Sequence, residues 1–176
     1  MNPVVQAEAA PSAHLTITPN LIFLLVGALL CGVLRFAWGT VEDDAYITFT
    51  YARNLVAGNG FVFNPGEMVM GTTVPLFGLF VALGIRIGID PALWVFGWDV
   101  VWMGAVLWMM KEFMEITGAA RWFPFAALMI PFAAQNTLPV PGMETGAYMV
   151  FLFGSVLAVM RRAPHCAMWL AGSAAV

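Results

Sequence analysis

The run TVPLFGLFVALGIRIGI, Thr73–Ile89, decides how the chain is arranged. It is apolar and close to the length of a membrane span, about 20 residues. Gly78, Gly84 and Gly88 interrupt it, and Arg86 places a charge near its end. Those interruptions favour a segment that lies in the membrane interface or dips into it. A shallow segment leaves its two flanks on one side of the bilayer; a full crossing separates them.

Outward from this run, four others read as spans: Leu21–Trp38, Leu93–Met110, Trp122–Leu138, and Tyr148–Met160 with its flanks. A sixth apolar run, Ala167–Val176, is too short to cross. A helix cut off in hydrocarbon leaves carbonyls unsatisfied, so the sequence is expected to be part of a longer protein. No Lys or Arg precedes Leu21 and no small-x-small cleavage site follows Trp38, so the first span is read as uncleaved. Residues 1–20 read as a disordered tail and residues 21–176 as one transmembrane domain. The expected fold class is all-α: a polytopic transmembrane helix bundle. Interfacial helices are expected in a large first outer loop, residues 39–92, with a small outer loop at residues 139–145.

Composition agrees with lipid as the solvent. The chain is 61% hydrophobic and 10% charged, with a mean hydropathy of +0.86; soluble domains carry about 25% charged residues. The formal charge of −3 gives no sign of a nucleic-acid partner. Cys31 and Cys166 read as small membrane-embedded side chains, and His14 and His165 are far apart, so neither a disulfide nor a metal site is expected. No cofactor is called for.

Between the first span and Gly71 the sequence changes character. VEDDAYITFTYARNLVAGNG, Val41–Gly60, opens with Glu42, Asp43 and Asp44 where the chain leaves the apolar run. Thr40 with Asp43 fits a capping box, and Gly58 or Gly60 fits a helix stop. A short helix over Asp43–Ala57 follows, with Ala45, Phe49, Ala52 and Val56 on one apolar stripe. In NPGE, Asn64–Glu67, Pro65 and Gly66 suit the centre of a type II turn within a small hairpin or extended loop.

Positive charge sets the orientation. Lys111 and Arg121 flank one short loop and Arg161 with Arg162 marks another, so both are placed in the cytoplasm. The loop PVPGMET, Pro139–Thr145, is then outside. With Thr73–Ile89 shallow, the acidic stretch is outside too, and Asp43, Asp44 and Glu144 can converge. Arg35, at the outer end of the first span, breaks the charge rule mildly.

The order DDAYITFTYARNLVAGNGFVFNPGE, GTTVPLF, GMETGAYMVFLF resembles the polytopic GT-C glycosyltransferases. It is similar in particular to their bacterial arabinofuranosyltransferase-like and mannosyltransferase-like members. The likeness covers roughly Thr40–Met160. It implies an inverting transfer of a sugar from a polyprenyl-phosphate donor to a glycan, lipid or protein acceptor, at the extracytoplasmic face of the cell membrane. It also implies an outer-loop aspartate as general base, matched here by Asp43 or Asp44, and a second acid facing the same cavity, matched by Glu144. Met68 and Met70 stand where the family pattern leads one to expect polar residues.

Such a transfer needs a base for the acceptor hydroxyl, and a cation near the departing lipid phosphate would stabilise it without a divalent metal. Arg53 and Arg86 are the candidate cations, and Tyr46 and Tyr51 could stack on the sugar. Plainer readings stand beside each. Asp43, Asp44 and Glu144 could serve their helix dipoles as first-turn acids. Arg53 and Arg86 could anchor at the interface, and tyrosines belong there in any case. Asp99 lies inside a span and is a functional candidate by default, or else a hydrogen-bonding partner for a neighbouring helix. The tryptophans Trp94, Trp98, Trp102 and Trp108 read as packing and belt residues, and Lys111, Glu112 and Glu115 as a solvated loop or helix end. Two other readings of the whole chain are a transporter or flippase fragment and a non-catalytic membrane scaffold. The lack of an internal repeat counts against the first; the second leaves three ordered motifs unexplained.

Overall fold

The computed structural model describes residues 19–38, 41, 43–67, 69, 71–72, 74–137, 143–163 and 165–166. Its helices are, in order, α1 (Pro19–Trp38), α2 (Asp43–Val56), α3 (Pro75–Arg86), α4 (Pro91–Ile116), α5 (Phe123–Thr137) and α6 (Thr145–Met160), with a 3-10 turn at Ala120–Trp122 before α5. No strand occurs among the described residues.

The others are arranged around α4. Asp90 starts it by accepting hydrogen bonds from the amides of Ala92 and Leu93 at 2.9 and 3.2 Å, and Pro91 fills the first helical position. Cap and proline together settle amides that would otherwise lack partners. Its 26 residues give a rod of about 39 Å. Among the described residues, α4 alone is long and apolar enough to cross a bilayer unaided. Helices α1, α5 and α6 occupy the positions of the other three expected spans, and α6 is apolar but shorter. Pro131 is buried inside α5.

Close contacts fix the directions. On α1, Gly27 faces Leu107 and Gly32 faces Val100, so α1 runs antiparallel to α4. Gly146 of α6 abuts Trp102, and Arg161 at its far end bonds to Glu112, so α6 runs parallel to α4. Helix α5 returns from the end of α4 and lies against α1. Lys111 near the end of α4, Arg121 in the 3-10 turn and Arg161 after α6 thus lie at one end, where Lys111 also pairs with Glu115 at 2.8 Å. Lys111, Glu112 and Glu115 are the last turns of α4 rather than a loop.

Helix α3 occupies most of the run Thr73–Ile89. Pro75 begins it, because the residue before a proline is pushed out of the helical region, and the chain turns at Gly88, where φ is 85°. The 12 residues between span about 18 Å, against the roughly 30 Å of a hydrocarbon core. Thr73 itself lies outside the described residues.

Helix α2 packs on α3, and α3 packs on the first half of α4. The apolar stripe of α2 behaves as its spacing implies: Ala45, Phe49 and Ala52 are buried against Phe77, Val81, Ala82 and Val95, with Val56 at the edge. The loop after α2 is an extended one. Its turn forms where expected, with the Glu67 amide donating to the Asn64 carbonyl at 3.1 Å and Gly66 at φ 91°. Two side chains of α2 hold it down. The Tyr51 hydroxyl donates to the Val69 carbonyl at 2.8 Å and accepts from the Gly71 amide at 2.6 Å. Asn54 donates to the carbonyls of Val62 and Phe63. The expected capping residue Thr40, most of the expected tail, residues 139–142 and the run Ala167–Val176 lie outside the described residues. Pro19 and Asn20, the last two residues of that tail, already belong to α1.

Candidate functional site

Asp43 and Asp44 are the first two residues of α2, and both are exposed. At 3.6 residues per turn they point about 100° apart. Asp43 shares a face with Tyr46, Thr50 and Arg53, which follow at helical spacings; Tyr46 and Arg53 are exposed, and Thr50 donates back to the Tyr46 carbonyl at 2.8 Å. Asp44 falls on the side of Thr48 and Tyr51, which are buried. The Tyr46 ring meets Phe49 edge-on at 5.7 Å and keeps its outer face open. Tyr51 is different: its ring is 1% exposed and its hydroxyl is committed to the loop backbone, so it is no platform for a sugar.

Glu144 stands just before α6 and, as a first-turn acid, would be expected to cap it. It makes no capping hydrogen bond. Its Oε2 is buried and has no hydrogen-bond partner among the described residues. A buried acceptor left unsatisfied costs roughly 1–3 kcal/mol, so this oxygen adds nothing to the stability of its own helix. The preceding residue, Met143, packs against the cluster of Ala45, Phe49, Phe77 and Val95. Ala45 directly follows the two aspartates. Met143, beside Glu144, and Ala45, beside the aspartates, therefore belong to one apolar cluster, away from the ion pairs of Lys111 and Arg161.

The two arginines lie elsewhere. Arg53 is ten positions beyond Asp43, about 15 Å along the axis. Arg86 ends α3, is exposed, and lines an open groove of about 470 Å³ with Leu55, Val56, Leu79, Ala82 and Leu83. Helices α2 and α3 run side by side in the same direction, so both guanidinium groups stand at the ends away from the carboxylates. Asp99 is buried on α4 and is not without a partner. Among the described residues no group of three or more His, Cys, Asp or Glu converges on a point.

Sequence reading passed over Tyr51 and Asn54 as structural pins and Asp90 as a cap. The Asp-Pro pair ahead of an apolar run was a usable signal for the cap. The pins had none, because their partners are backbone groups 8 to 20 residues away.

Comparison with known proteins points the same way as the motifs. The chain is 27% identical over 135 residues to the terminal beta-(1->2)-arabinofuranosyltransferase of Mycobacterium tuberculosis, a match covering 66% of this chain and 21% of that protein. It is 42% identical over 65 residues to the protein of the same name from Corynebacterium glutamicum, covering 34% of this chain and 10% of that one. The chain is glycosyltransferase-like. It spans about a fifth or less of the length of these relatives. No protein-family model and no solved structure matches it.

Proposed function

We propose that this chain forms the N-terminal part of a membrane-embedded GT-C-type glycosyltransferase. It moves a sugar from a polyprenyl-phosphate donor to a glycan, lipid or protein acceptor on the extracytoplasmic face of the cell membrane, with inversion. The observation that supports the reading is the seat of Met143, the neighbour of Glu144, on the cluster that includes Ala45 at the start of α2. The exposed apolar side chains Leu29 and Phe36 on α1, Phe125 on α5 and Val159 on α6 support lipid as their surroundings. The length of α3 supports a segment confined to one leaflet. In that frame α1 leads outward, α4 inward, α5 outward and α6 inward, with Lys111 and Arg161 in the cytoplasm.

A carboxylate at the start of α2 takes the proton from an acceptor hydroxyl as that oxygen bonds to the anomeric carbon. The anomeric carbon–oxygen bond to phosphate breaks on the opposite side, and polyprenyl phosphate leaves with the electron pair. Asp43 is the better placed of the two acids, since it shares a face with Tyr46 and Arg53. The sugar ring would lie along Tyr46; Arg53 and Arg86, at the far ends of α2 and α3, are left as interfacial anchors. Glu144, with an acceptor oxygen unsatisfied, would take a hydrogen bond from a substrate hydroxyl. The names of the relatives make an arabinofuranosyl group the first sugar to try.

Asp43→Asn and Asp44→Asn, made singly in the intact parent protein, test this. Transfer should vanish at Asp43→Asn while membrane insertion is unchanged. Full activity in both variants would remove the base assignment.

A further inference from the structure

Among the described residues the Glu144 side chain neither caps α6 nor meets a partner at Oε2. Met143 seats the turn from one side; from the other, the helix start is fixed two residues on. A Cβ on Gly146 would sit 3.0 Å from Trp102 Cδ1, 3.1 Å from its Cβ and 3.3 Å from Cγ, so the α6 backbone rests directly on that side chain. A side chain there would require Trp102 or the helix to give by a few tenths of an ångström.

Trp102 is in turn the end of a ladder. Its ring lies 5.1 Å from Trp98 at 32° and 6.4 Å from Phe80; Trp98 lies 5.9 Å from Trp94 and 5.3 Å from Phe80. The Trp94 indole donates to the Phe80 carbonyl at 3.1 Å, tying the ladder to α3. Helix α3 carries α2 and hence Asp43 and Asp44. Rings with two torsions each are stiff, and their tilted and edge-on contacts add about 0.5–1.5 kcal/mol apiece beyond burial. The run of aromatics is thus a continuous solid path from one acidic turn to the other.

We infer that Trp102 is a positioning residue: seated against Gly146, it sets where Glu144 stands relative to the start of α2. This deepens the proposed reading of Glu144 and rests on it. The tryptophans are then more than belt residues, and the spacing of Trp94, Trp98 and Trp102 serves the site.

The test uses the intact parent protein in membranes, with Cys31 and Cys166 replaced and cysteines introduced at Asp44 and Thr145. A short bismaleimide should join them. Trp102→Ala should cut the yield several-fold and Trp102→Phe should keep most of it; an unchanged yield in Trp102→Ala overturns the inference alone. No link in the parent overturns the shared-site reading and the inference with it. On the native-cysteine background, Trp102→Ala should lower transfer about 100-fold, the loss that a displacement near 1 Å brings. In the Glu144→Gln background it should add little, because both changes remove one function. Losses that multiply instead mean that Trp102 acts without Glu144, and refute the proposal. Should Trp102→Ala fail to accumulate, Gly146→Ala carries the same predictions.

Discussion

Tyr51→Phe isolates what a single hydroxyl does for the loop over α2. The ring stays, so the buried contacts with Phe61 and Phe63 at 5.0 and 6.0 Å are kept. The loss is one hydrogen bond donated to Val69 and one accepted from Gly71. Each is worth about 0.5–1.5 kcal/mol net, or about 2 kcal/mol for the pair. Val69 and Gly71 are exposed, so water replaces part of this. The expected cost falls to about 1–2 kcal/mol, which is roughly 5- to 30-fold in the local opening equilibrium. Hydrogen exchange read by mass spectrometry in lipid nanodiscs measures it. The peptide containing Gly71 should exchange faster by that factor, while peptides from α4 stay unchanged. Equal protection at Gly71 in both proteins would refute the idea that Tyr51 clamps the loop ahead of α3.

Two further changes probe the bundle. Arg162 follows α6 at φ 57° and donates to the Val159 carbonyl at 2.9 Å, a left-handed helix stop without glycine. Arg162→Gly should raise stability by about 1 kcal/mol in reversible detergent denaturation; destabilisation would mean the arginine side chain matters more than the strain. Gly27→Ala sets a Cβ against the Ala127 carbonyl and 2.7 Å from Leu107 Cδ1. It should destabilise the protein by about 1–3 kcal/mol, and an unchanged thermal midpoint would show that α1 and α5 yield without cost.

The local pattern carried most of the fold. The apolar stripe of α2, the turn at Asn64–Glu67 and the positions of the long apolar helices follow from spacing, proline and glycine within a few residues. The length of α3 was equally available, since Pro75 and Gly88 bound it. Hidden were effects that depend on distant partners. Nothing in the sequence near Tyr51 says that its hydroxyl will be spent on Val69 and Gly71. Nothing near Glu144 says that it will decline to cap α6, because a first-turn acid ordinarily does. The seat of Met143 against α2 joins residues nearly a hundred positions apart, and short-range reading has no access to that. The sequence also grouped Arg53 with the acids as neighbours on one helix, while the helical rise puts them at opposite ends of it.

Sided labelling tests the central claim most directly. Single cysteines replacing Gly66, Gly142 and Gly118 are offered an impermeant maleimide from outside intact cells, in a protein freed of Cys31 and Cys166. The two turns that flank the acids should react from outside and Gly118→Cys only after the membrane is opened. Reaction of Gly66→Cys and Gly142→Cys from opposite faces would contradict a shared extracytoplasmic site.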